Sequence, residues 1–139
     1  MSGAPRSRRR SLIVLLLVAV MLPRSYAAET RTATAEAEAL EFLLASAARE
    51  FKSSAAHRPT AIRNTRFGFL PDSNGGYFVL CGSFSLMAGG KPNWTDFATV
   101  KTSDYEQWIG GAATSFCSQK AIKWHPGDKS AVLLQRLGR

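Results

Sequence analysis

Cysteine and histidine are scarce. The 139 residues hold two of each: Cys81 and Cys117, His57 and His125. None forms a short ligand spacing, so the zinc-binding patterns are excluded and we expect no metal and no cofactor. Glycine pairs at Gly75-Gly76 and Gly89-Gly90 lack the following Lys-Ser/Thr of a phosphate-binding loop. No nucleophile-elbow motif is present, and no catalytic residue is assigned. The longest apolar run, residues 11–22, is too short to span a membrane, which takes about 20 residues. The length itself allows one domain.

Acidic residues are missing from the first 28 positions, which carry five basic ones: Arg6, Arg8, Arg9, Arg10 and Arg24. The whole chain has 18 Lys+Arg against 10 Asp+Glu, a formal charge of +8. Beyond Ala27 the balance is nearly even, 13 basic against 10 acidic. A basic protein of this kind would ordinarily suggest nucleic acid. The excess here belongs to the N-terminus, so no nucleic-acid partner is expected. A basic cluster, an apolar run, Pro23 and small residues at Ser25 and Ala27 form the layout of a secretory signal peptide. We expect residues 1–27 to be the signal, cut after Ala27, and residues 28–139 to be a single small domain. No Cys follows the apolar run, which argues against a lipid anchor. No transmembrane anchor should remain after cleavage, and the protein should be periplasmic or secreted. In such an oxidising compartment Cys81 and Cys117 are expected to form a disulfide, the competing state being two buried free thiols.

The mature chain opens with small polar residues, 28–34, read as a frayed start. A helix is expected over about 34–55. Leu40, Leu43, Leu44, Ala47, Ala48 and Phe51 share one face, with charges of both signs opposite. Pro59 stops it. Ile62 to Leu70 reads as a strand in which Arg63, Thr65, Phe67 and Phe69 alternate against Ile62, Asn64, Arg66 and Gly68. Residues 71–76 are a turn centred on Asn74-Gly75. Tyr77 to Ser85 is apolar on both faces and should be a central strand covered twice. Gly82 within it marks a bulge or a close backbone approach. A turn over 88–93 leads to a third strand, 94–102. Ser103-x-x-Glu106 resembles a capping box, and Tyr105, Trp108, Ile109, Ala112, Ala113, Phe116 and Cys117 predict a second helix from Ser103. Gly110-Gly111 weakens that helix or moves its start later. A short edge strand at 121–124 and a short helix at 130–137 complete the expectation. The fold class is α+β: an N-terminal helix on a three- or four-stranded antiparallel sheet, with the second helix tethered by the disulfide.

Residues Pro59-Thr-Ala-Ile-Arg-Asn-Thr-Arg66, followed by Cys81-Gly82 and Phe97, resemble a family of small exported proteobacterial proteins. Those read Asp-Pro-x-Ser-Ala-x-Phe-Arg-Asn-Val, then Val-Cys-Gly, then a Gly-rich turn and a Phe. Here Arg58 replaces the Asp, Thr60 replaces the Ser, and no Phe precedes Arg63. The resemblance spans about residues 50–100. It implies an exported α+β domain and supplies no catalytic residues.

Functional candidates are aromatic and basic. Trp94 and Trp124 flank turns and are candidate surface platforms, whereas Trp108 and Tyr105 share the expected second helix's apolar face. Arg58, Arg63 and Arg66 lie close in sequence and form a candidate surface for an acidic partner. The leading reading is a non-enzymatic binding module for an envelope component or exported protein. The alternatives are a small hydrolase using His57 or His125, with Ser83 or Ser115 and Asp104 as paper partners, and an inhibitor-like protein that caps another exported protein's sheet edge.

Overall fold

The fold is built around one strand that is buried on both sides. A computed structural model describes residues 25–138; the expected signal segment lies outside the described residues except for 25–27. The elements in chain order are α1 (Ser25–Ser53), a 3-10 turn (Ala55–His57), β1 (Ala61–Leu70), β2 (Tyr77–Ala88), β3 (Lys91–Lys101), β4 (Tyr105–Ile109), α2 (Gly111–Cys117), β5 (Lys123–Trp124) and α3 (Ser130–Arg136). The strands form one antiparallel sheet in the order β4-β3-β2-β1-β5.

Strand β2 carries apolar side chains both ways, as its sequence requires. Leu80 and Phe84 point to the side covered by α1, where they meet Leu43, Leu44, Ala47, Phe51, Phe67 and Phe97. Phe51 packs on Phe84 and Phe97 at centroid distances of 5.0 and 5.2 Å. Leu133 of α3 is buried in the same core, so α3 and α1 share one side of the sheet. Val79 and Cys81 point to the other side and meet Ala98, Val100, Ala113 and Ile122. The Cys81–Cys117 disulfide joins this side of β2 to α2, with Cα atoms 6.1 Å apart.

The α+β class and the tethered second helix stand, with five strands in place of three or four. Four local expectations are corrected. Residues 28–34 are helical, because α1 starts at Ser25. The turn over 88–93 shrinks to Gly89-Gly90 between Ala88 and Lys91. Both glycines have positive φ (57° and 74°), the requirement of a two-residue hairpin whose twist matches its strands. The second helix does not start at Ser103. Tyr105 to Ile109 is β4, paired with β3 through Lys101↔Tyr105 to Phe97↔Ile109. Gly110, at φ 70°, then separates this strand from α2. Tyr105, Gln107 and Ile109 alternate with Glu106 and Trp108, and that period of two prevailed over the helical spacing.

The fourth correction concerns β1. Arg63 pairs with Ser83 and Arg66 with Cys81, so Asn64 and Thr65 stand opposite Gly82 alone. This is a β-bulge, with Asn64 at φ 54°. It shifts the alternation by one. Ile62, Thr65 and Phe67 are buried, while Arg63 and Arg66 are both exposed. The expected grouping of Ile62 with Arg66 and of Arg63 with Phe67 is therefore replaced.

The C-terminal segment is tied to the bulge. Lys129 N–H donates to Thr65 O (2.7 Å), His125 N–H to Phe67 O (2.9 Å), and Thr65 N–H to Ser130 Oγ (3.1 Å). The expected edge strand is reduced to Lys123–Trp124, and the expected helix forms as α3.

Candidate functional site

The sheet side that carries the disulfide is only partly roofed, because α2 spans seven residues. Beside α2 lies a cavity of about 550 Å3, lined among others by Asn64, Arg66, Ser83, Asp96, Cys117 and Asp128. Its floor is the central pair β2–β3, where Ser83 lies opposite Asp96. Its lip is the bulge and the 125–128 turn.

Two indole–guanidinium stacks lie on this side of the sheet, and one of them borders the cavity through Arg66. The Arg63 guanidinium lies 3.8 Å from the centre of the Trp94 ring, and that of Arg66 lies 4.1 Å from the centre of Trp124. The register explains both. Ser83 sits beside Arg63 on one neighbour strand, and Ser85 lies opposite Trp94 on the next, so Arg63 leans across β2. Trp124 pairs with Gly68, whose missing side chain leaves room for the indole: a Cβ there would come within 2.8 Å of Trp124 Cε3. Arg66, two positions before Gly68, then reaches over the ring. Each stack contributes about 0.5–1 kcal/mol at an exposed site, and more where it is desolvated.

The bulge brings these arginines together. Residues three apart in a regular strand face opposite sides. The extra residue at 64–65 turns Arg63 and Arg66 to one side, about 7 Å apart along the strand at the usual rise per residue. Among the described residues neither guanidinium forms an ion pair; those that form are Arg136–Glu41 and His125–Glu36. The nearby acids are engaged otherwise. Asp96 Oδ1 accepts from Ser83 Oγ and Oδ2 from Thr114 Oγ1, each at 2.7 Å. The Asp128 carboxyl accepts the Ser130 amide at 2.7 Å. Partial loss of solvent around it would by itself raise it; hydrogen bonds from Ser130, Thr65 and Asn64 outweigh that and hold it below its ordinary range.

The sequence-derived candidates therefore separate. Trp94, Trp124, Arg63 and Arg66 converge on one side of the sheet. Arg58 does not join them; it lines a groove with Phe51, Lys52, Pro59 and Leu137 at the end of α1. Trp108 packs edge-on against Phe116 at 4.6 Å within the second core. Tyr105 packs on α1, where its hydroxyl donates to Glu50 at 2.8 Å. Among the described residues neither histidine is hydrogen-bonded to Ser83, Ser115 or Asp104. His57 Nδ1 is 3.2 Å from Ser54 Oγ, and its ring stands edge-on to Phe84. His125 lies against Phe67 (4.9 Å) and 3.7 Å from Glu36, on the α1 side of the sheet. Ser83 is bonded to Asp96, and both line the cavity whose lip His125 also lines.

Ser83 was read only as a nucleophile for the hydrolase alternative, and its grouping with Asp96 and Thr114 was not foreseen, since nothing in the sequence places a strand carboxylate beneath α2. The bulge had a signal. Ile62 and Phe67 are both large and apolar but five apart, which a regular strand cannot put on one face.

No protein-family model matches the chain, and neither the curated proteins nor the solved structures contain a match to it.

Proposed function

We propose that this chain is an exported domain, periplasmic or secreted, that works by binding another component of the cell envelope and catalyses no reaction. Trp94, Arg63, Arg66 and Trp124 form its binding face. The observation that carries this reading is the pair of indole–guanidinium stacks on one side of the sheet, with Arg66 lining an open cavity there and both guanidiniums free of ion pairs among the described residues. Stacked arginines lose less side-chain freedom on binding than free ones, which makes such a face well suited to recognition. The Cys81–Cys117 disulfide fits an oxidising compartment, and no described helix is long and apolar enough to cross a membrane. The resemblance of residues 59–66, 81–82 and 97 to small exported proteins supports export as well.

The test is co-sedimentation of the exported protein with a cell-wall fraction, wild type against Trp94→Ala/Trp124→Ala. The variant should be released to the supernatant while keeping its far-UV circular dichroism and its oxidised thiols. Equal retention of a folded variant would exclude this face as the binding surface.

A further inference from the structure

We infer that the cavity beside α2 is a site for a hydroxylated organic acid, a sugar acid or a sugar phosphate, whose acidic group is taken by Arg66. This rests on the binding role proposed above and names its ligand class.

The cavity offers two kinds of group. One is the Arg66 guanidinium, held on Trp124 and unpaired with any carboxylate among the described residues. A planar fork fixed in direction is suited to a carboxylate or phosphate, which it meets with two parallel hydrogen bonds. The second kind is acceptors: the Asp96 and Asp128 carboxylates and the Asn64 side chain share the same lining. Each Asp96 oxygen already takes one hydroxyl and retains capacity for another donor. Within the lining the single guanidinium of Arg66 faces two carboxylates, Asp96 and Asp128, with His125 at the lip, so a bare anion gains nothing from the net field. A ligand carrying both an acid group and hydroxyl donors engages both halves of the lining. The volume of about 550 Å3 suits a monosaccharide-sized ligand, within the roughly 300–1,000 Å3 typical of small-molecule sites.

Position supports the same assignment. The bulge at Asn64, a non-glycine residue at φ 54°, is what turns Arg66 toward the cavity alongside Arg63. Bulges recur where a strand must re-aim a side chain. The same bulge binds the 125–130 turn, which closes the cavity's lip and carries Asp128 and, through β5, Trp124.

The experiment is an NMR titration of the oxidised protein recovered from the exported fraction, following Arg66 Nε–H and the Trp124 indole N–H. The probes are D-glucuronate, glucose 6-phosphate and, as the neutral control, glucose. Saturable shifts at both groups are expected with at least one acid, with glucose at least about tenfold weaker. A response to glucuronate alone, or to the phosphate alone, identifies which acid group the site takes. Arg66→Gln should weaken the acid at least about tenfold with amide dispersion unchanged, and Arg66→Lys, which keeps the charge without the fork, should fall between. Absence of saturable shifts with both acids, equal binding of glucose, or undiminished binding by folded Arg66→Gln would overturn the assignment. If the acids fail while Trp94→Ala/Trp124→Ala still releases the protein from the cell-wall fraction, the ligand class is wrong and the binding role stands.

Discussion

A methyl group added to Gly82 would lie 2.8 Å from Phe97 Cε1 and 2.8 Å from Thr65 Oγ1. Both neighbours are fully buried, so neither can move aside freely. Gly82 stands opposite the two bulge residues, and the bulge leans into the space a side chain would fill. Gly82→Ala should therefore cost about 1–3 kcal/mol, the usual range for overpacking. The urea midpoint measures it, and an unchanged midpoint would show that the bulge relaxes. Asp128 gives a pH prediction at the same scale. Its folded carboxyl is depressed below the ordinary 3.8. The resulting stability is present above that value and is lost as pH falls through the lower, folded value. Wild type should thus exceed Asp128→Asn in urea midpoint at neutral pH, and the gap should close in acid. The effect is small, because Asp128 is exposed. A gap that persists undiminished at about pH 2 would assign the difference to something other than this titration.

Elements show where sequence patterning succeeds and where it fails. The helix stripe from Leu43 to Phe51 and the doubly apolar strand β2 were legible because each pattern fits one period over two or more turns of chain. The stretch from Ser103 to Cys117 was not, because two periods fit it. Tyr105, Trp108 and Ile109 suit a helix by spacing and a strand by alternation. The deciding partner, β3, is invisible in a local window. Gly110 at φ 70° was the one local mark of the break. The candidate site was half legible for a related reason. Trp94, Trp124, Arg63 and Arg66 stood out by type, but their convergence depends on a bulge and on pairing across four strands. Helix α2, seven residues long, has little stability of its own. It is held by the disulfide, by Thr114 on Asp96 and by packing of Ala113 and Phe116. Closing a loop across a separation of 36 residues is worth about 3–4 kcal/mol in the chain-entropy model. Cys81→Ala/Cys117→Ala should lower the unfolding free energy by about that amount. Amide exchange should show α2 opening before α1 and β2; uniform opening would show that α2 does not depend on the tether.

The whole molecule is a central sheet with one large core and one small one. α1 and α3 cover the first, and it holds most of the large buried side chains. The second is roofed by α2 and crosslinked, with the open cavity beside it. This asymmetry concentrates stability on one side and leaves the other available to a ligand. It also makes the weaker side dependent on the oxidised disulfide, since reduction removes the clamp there. Export and folding are thereby linked in one prediction. Protein expressed with its own N-terminus and released by osmotic shock should have an intact mass beginning near Ala28. Its thiols should take up alkylating reagent only after reduction. The same chain retained in a reducing cytosol should alkylate at both cysteines without reduction and resist proteolysis less around 111–117 than elsewhere. A full-length mass in the membrane pellet would overturn the signal-peptide reading. Free thiols in shock-released protein would overturn the clamp. With either result, the open side of the sheet would have to be considered with α2 detached, a much wider surface than the cavity it now borders.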